Sequence, residues 1–267
     1  MITLKSKREI SGMAKSGAIL AGAHLALRDK IHVGMDTWEI EEIVNQYILN
    51  HDATPSEKGF EGYKYATCIS INNEVAHATP RKGLKLKNHD IVTVDFCVNW
   101  HGYESDLAWT YVVGESTPEI DHLMDVTLKA LYLGIDQAQV GNRLGDIGFA
   151  IQDYVENENH MGDVRDLIGH GIGPTMHEEP NVFHYGVPYK GLRLKAGMVI
   201  TIEPMVNAGG DWEIKTEIVP ETGWEYYVSG DGSLSAQYEH TLAITNDGPK
   251  ILTSQDPVMD AKYLWQD

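Results

Sequence analysis

Basic side chains are scarce in this chain: 21 Lys and Arg stand against 39 Asp and Glu, for a formal net charge of −18 with histidine neutral. A surface so short of clustered cations does not hold a polyanion, so direct nucleic-acid binding is not expected. The imbalance favours solubility and cationic ligands, such as divalent metals or a free amino terminus. Cysteine is almost missing. The two residues, Cys68 and Cys97, cannot build a disulfide framework, and a reducing cytoplasm is the expected compartment. No apolar run reaches the roughly 18 to 20 residues of a membrane span. The opening MITLKSKREISGMAKSG has no sustained apolar stretch ahead of a cleavage site, so neither membrane insertion nor secretion is expected. Linkers are also lacking. Residues 1–267 are therefore expected to form one domain, long enough to bury a real core.

What the chain does have centres on residues 91–114, IVTVDFCVNWHGYESDLAWTYVVG. Val92, Val94, Phe96 and Val98 alternate with Thr93, Asp95, Cys97 and Asn99, the pattern of a half-buried strand. Trp100, His101 and Gly102 are expected to turn the chain, and residues 107–113 to return as a second strand. That hairpin brings Asp95 close to Asp106. Two neighbouring carboxylates repel, and one must stay protonated unless a cation neutralises the pair. Either they form an oxygen-ligand metal site or both face solvent on an edge hairpin.

Around this hairpin the pattern alternates helices with strands. Residues 4–30 read as a helix, with Met13, Gly17, Leu20, His24 and Leu27 on one side. A second helix, capped by Asp36 or Thr37, runs to about residue 50. Residues 51–65 read as a loop and 66–72 as a strand, with His77 just beyond. Further helices are expected over 119–139 and 146–158, the latter opened by an Asp cap. The motif-rich β segments GHGIGPTMHEEP, AGMVITIEPMV, EIKTEIVP and SAQYEHTLAIT follow. The tail from about residue 247 has no strong pattern. Two helices precede carboxylate-bearing strands in each half, an α+β arrangement with a pseudo-repeat.

The second half supplies more ligand types. His170 sits between glycines that permit close backbone approach, Glu203 ends an apolar strand before Pro204, and Glu239 begins another. Singly, each reads as a solvated or salt-bridged residue. Together, four strand-borne carboxylates (Asp95, Asp106, Glu203, Glu239) match the charge of two divalent cations, and one imidazole suits Mn, Fe, Co or Zn. His77 and His177 stand apart, either as ordinary imidazoles or as hydrogen-bond donors and proton shuttles beside the metals.

The ordered set SINNEVAHATP, VDFCVNWHGYESD, GHGIGPTMHEEP, TIEPMV and SAQYEHT resembles the type I methionine aminopeptidases, in their short form without an N-terminal zinc-finger extension. The resemblance spans roughly residues 4–252. It implies an α+β pita-bread fold, antiparallel sheet covered by helices with a pseudo-twofold repeat. It implies a dinuclear centre of Co, Mn, Fe or Zn on Asp95, Asp106, His170, Glu203 and Glu239, with Asp106 and Glu239 bridging. A metal-bridged water would attack the first peptide bond of a nascent chain, releasing methionine when the second residue is small. Glu203 would handle the water proton, His177 the carbonyl oxygen and His77 the scissile nitrogen. Phe60, Tyr63, Cys68 and Trp224 would wall the methionine pocket. The loop EKGFEGYKYATC departs from the usual pattern: Glu57 stands where a pocket cysteine is usual, Phe60 replaces a tyrosine, and a proline is missing.

The resemblance further implies a monomer working on nascent chains near the ribosome. Two rivals remain at this point, an Xaa-Pro aminopeptidase or prolidase of the same fold and a non-catalytic binding relative. The first usually carries a large extra N-terminal domain, and the second would have lost ligands. One consequence is checkable directly. Residue two is Ile, too large for the second position, so the protein should retain Met1; intact-mass measurement showing a mature chain that starts at Ile2 would count against the specificity.

Overall fold

The computed structural model describes residues 2–266. Four helices flank antiparallel sheets. Helix α1 (Lys7–Arg28) starts where Ser6 and Glu9 cap each other's backbone N–H groups, and α2 (Thr37–Asn50) repeats the device with Asp36 and Glu39; each such cap contributes about 1 kcal/mol. Helix α3 (Pro118–Gln137) has Pro at its first turn and Thr117 as its cap. Helix α4 (Leu144–Gln152) starts two residues before the expected Asp146. Asp146 instead sits at its third position and accepts from the Arg143 N–H. The chain then widens into a π-helical stretch, Asp153–Glu158.

Two apolar cores follow the two halves of the sequence. Leu20, Leu27, Ile40, Val44 and Ile48 of α1 and α2 pack on Val92, Val94, Phe96, Val98 and Leu107 of the hairpin. Leu123, Leu131, Ile135, Ile147 and Ile151 of α3 and α4 pack on Ile200, Ile202, Leu242 and Ile244. The hairpin strands are Ile91–Trp100 and Tyr103–Val112. Trp100 pairs with Tyr103 and so belongs to the strand. The turn is His101-Gly102 alone, both at positive φ, the form a two-residue hairpin loop requires.

The expectation of a half-buried first strand is corrected. Thr93 and Cys97, on the face opposite Val94 and Phe96, are buried too. The second half covers that face: Thr110 shares a hydroxyl bond with Thr93, donates to the Gln237 carbonyl and accepts from the Gln237 N–H. The expected patternless tail also gains structure, since Gly248–Ile251 pairs with His240–Thr245.

The halves are clasped by backbone next to functional residues. Thr241 Oγ1 accepts from the Asp106 N–H at 3.0 Å and donates to the Asp106 carbonyl at 2.8 Å. The Glu239 N–H donates to the Ala108 carbonyl. A second tie joins the amino-terminal segment to the sheet of Glu178–Val182: Lys5, its side chain 3% exposed, meets Glu178 at 2.7 Å, and the Lys5 N–H donates to the Gly197 carbonyl.

Candidate metal centre

Asp95, Asp106, His170, Glu203 and Glu239 all line one cleft of about 790 Å³, together with His77, His177, Phe60, Cys68 and Trp224. Asp106 lies opposite Cys97 in the hairpin register and Asp95 opposite Ala108, which makes the two aspartates diagonal neighbours on one face. His170 comes from Gly169–Gly171. A Cβ on Gly169 would lie 2.7 Å from the Thr201 carbonyl, and one on Gly171 2.3 Å from that of Glu179, so strand packing demands both glycines. Nδ1 of His170 faces the Gly171 carbonyl at 2.9 Å. A proton belongs on that nitrogen; without metal Nε2 carries one as well, toward the carboxylates, and would give it up to a cation that took its place. Nε2 lies 3.5 Å from Asp106 Oδ2 and 3.7 Å from Glu203 Oε1.

Thr201, which none of the motifs singled out, holds His170 and Glu203 together. The Thr201 hydroxyl accepts from the His170 N–H at 3.0 Å and donates to Glu203 at 2.8 Å. Its signal was available: it precedes Glu203 by two, on the same face of the strand. Gln237 also approaches Glu203, at 3.5 Å.

The donor set fits a divalent cation. Asp106, His170 and Glu239 each offer a ligand atom, all within 4.8 Å of one another. Asp106 Oδ1 and Glu239 Oε1 are buried with no hydrogen-bond partner among the described residues, an arrangement that costs free energy unless something positive takes those oxygens. Burial and mutual repulsion push Asp95 and Glu239 well up and Glu203 up to about 7. Burial opposes ionisation of Asp106 most strongly, but the hydrogen bond and charge of His170 together with the Cys97 thiol outweigh it and hold Asp106 low. His170 in turn is lifted to about 9 against its burial by Asp106 and Glu203. A carboxyl cluster that divides its protons in this way is one that a cation would discharge.

The remaining histidines stand at the edge of this cluster. The His177 ring packs edge-on to His170 and to Phe60, with centroids 4.4 and 5.2 Å apart. Burial, then the nearby His170, lowers His177. Burial lowers His77 to about 4, so both rings are neutral at pH 7. His77 sits at φ 62°, uncommon for a residue with a Cβ, and its carbonyl accepts the Trp224 indole N–H at 2.9 Å. Tyr63 does not line the cleft. It is buried behind Trp224, ring centroids 4.6 Å apart, with its hydroxyl donated to the Thr67 carbonyl. Glu57 does line the cleft, and burial followed by repulsion from Asp106 pushes it up to about 8.

Residues 11–246 match metallopeptidase family M24, and methionine aminopeptidase 1 of Bacillus subtilis is 43% identical over 253 residues, 95% of this chain and 99% of that one. The chain belongs to family M24, among the methionine aminopeptidases. A crystal structure of the methionine aminopeptidase from Thermotoga maritima superposes with a TM-score of 0.90 at 40% identity, over 95% of this chain and all of that one. The prolidase of Pyrococcus horikoshii matches at a TM-score of 0.74 and 23% identity, covering 95% of this chain and 64% of its own, a likeness of fold alone. The pita-bread fold expected from the motifs is thus the fold of this chain, as is the type I methionine aminopeptidase assignment. Methionine aminopeptidases of this family are metal-dependent hydrolases, and no helix among the described residues is long and apolar enough to cross a membrane.

Proposed function

We propose that Asp95, Asp106, His170, Glu203 and Glu239 hold two divalent cations, drawn from Co, Mn, Fe or Zn, and that the cleft removes the N-terminal methionine of nascent chains whose second residue is small. Methionine release with a divalent metal follows from the family; the ligand set, the count of two and the residue roles are the reading offered here. The observation that carries it is the set of donor atoms on Asp106, His170 and Glu239 within 4.8 Å, with two orphaned carboxylate oxygens among them.

When bound, the cations supply a lowered pKa for water and polarise the scissile carbonyl. The side chains do the rest. Glu203, aligned by Thr201, takes the proton of the attacking water and returns it to the leaving amine. Neutral His177 donates to the carbonyl oxygen as negative charge develops there. His77, held by its backbone bond to Trp224, supports the scissile nitrogen. Phe60, Cys68 and Trp224 seat the methionine side chain, and Tyr63 backs Trp224. The free α-amine meets a cleft whose lining includes no lysine or arginine, which favours a cationic terminus. In this reading residues 1–267 act as one catalytic domain, monomeric, in the cytoplasm and near the ribosome.

Metal-stripped protein should release methionine from Met-Gly-Met-Met only after Co, Mn, Fe or Zn is restored, and titration should saturate at two ions per chain. Saturation at one ion would remove the dinuclear site. Metal-dependent cleavage of Xaa-Pro dipeptides regardless of the first residue would move the specificity to a prolidase-like one.

A further inference from the structure

A buried lysine needs a partner, and Lys5 finds its partner in the wall of the cleft. Its Nζ meets Glu178 Oε2 at 2.7 Å, and Glu178 lines the cleft directly after His177. The other carboxylate oxygen, Oε1, accepts from the Thr175 hydroxyl at 3.3 Å. Gly173, which ends the GHGIG run, leaves room for the pair: a Cβ there would lie 2.5 Å from Lys5 Cε and 2.7 Å from Glu178 Oε1. Lys5 itself has little freedom. Its N–H is bonded to the Gly197 carbonyl, the next residue, Ser6, caps α1, and Ile10 and Met13 of that helix pack with Ile172 and Val199. A rigid helix thus delivers one ammonium to one loop.

That loop ends in His177. The imidazole touches His170 and Phe60 edge-on, and no hydrogen bond among the described residues holds its ring. Its placement therefore depends on its backbone, which is fixed on both sides: the Gly173 carbonyl accepts from the Glu104 N–H, and Glu178 pairs with Gly171. Without the ammonium, the Glu178 carboxylate would be left with only Thr175 and would turn toward water. We propose that Lys5 is a positioning residue of the reaction: its ammonium pins Glu178 and so sets where the His177 imidazole stands. The proposal rests on reading His177 as the donor to the scissile carbonyl oxygen.

The test is a mutant cycle on metal-loaded full-length enzyme with Met-Gly-Met-Met. Lys5→Met keeps the stem and removes the charge. It should lower kcat at least about tenfold and leave KM within about threefold, the pattern of a group misplaced for the transition state alone. Added to His177→Ala, the same change should cost less than about twofold more, because the imidazole it positions is gone. Glu178→Gln, which keeps the shape and the Thr175 bond, should match Lys5→Met, and takes its place if Lys5→Met does not fold. Rates are taken well below each variant's melting temperature, so loss of the fold does not enter. A wild-type kcat in these variants, the same fall in kcat with and without His177, or a rise in KM at unchanged kcat overturns the proposal alone. A wild-type kcat in His177→Ala overturns the reading of His177 and the proposal with it.

Discussion

Asp106→Ala should abolish methionine release, with kcat/KM down by at least about a thousandfold, equivalent to roughly 4 kcal/mol of transition-state stabilisation. Asp106 is where the two halves meet: its backbone is clasped by Thr241, its Oδ2 faces His170, and its Oδ1 has no hydrogen-bond partner among the described residues. Asp106→Asn separates chemistry from folding. It keeps the shape and the backbone clasp but removes the carboxylate that the metal-free cluster holds ionised against His170. Metal-free Asp106→Asn should therefore still fold but melt somewhat below metal-free wild type, gain little stability from added cation and show the same loss of activity. Calorimetry with and without metal, alongside the peptide assay, checks both halves. Near-normal turnover by either variant would remove Asp106 from the proposed ligand set.

The metal-stripped protein should lose stability as pH rises from 6.5 to 9, and added divalent cation should restore more at the upper end. Glu203 lies at about 7 and Glu57 at about 8, and burial and mutual repulsion push Asp95 and Glu239 well above the ordinary carboxyl range. A carboxyl whose folded value exceeds its unfolded value contributes stability below the unfolded value and loses it as pH climbs through the folded one. His170, raised to about 9, acts in the same direction, because its charged form is the one the fold favours. The buried neutral histidines His24, His184 and His240, all depressed, contribute fully above pH 6.5 and lose their part only below it, outside this window. Bound cation takes over the charge that the protons held, so its stabilisation should exceed that at pH 6.5, with a gain in melting temperature on the order of 10 °C at pH 8. A metal-free melting temperature that rises across this range would contradict the carboxyl arrangement.

Much of this was legible because local rules and tertiary packing agree. The cap at Asp36 is written in short sequence, although the first helix, read from residue 4, starts only after Ser6, and the period of Val92 to Val98 names the core face. His170 between two glycines announces close backbone packing, which the Thr201 and Glu179 carbonyls confirm. The parts that were not legible depend on what arrives from far away in sequence. Thr93 and Cys97 read as a solvated face because Gln237, which covers that face, lies some 140 residues later. Gly248–Ile251 has no apolar alternation of its own and is a strand through its partner. Tyr63 was expected at the pocket surface, but its hydroxyl finds the Thr67 carbonyl and its ring goes behind Trp224. The burial of Glu57 is a property of the folded cleft and leaves no trace in composition.

The tie between Lys5 and Glu178 has a bearing on the cleft. Glu178 is the residue after His177, so a side chain distant in sequence braces the loop that carries a proposed catalytic imidazole. Lys5 acts as a strut there, and loss of its ammonium would be felt at His177 although the two never touch the same substrate atom.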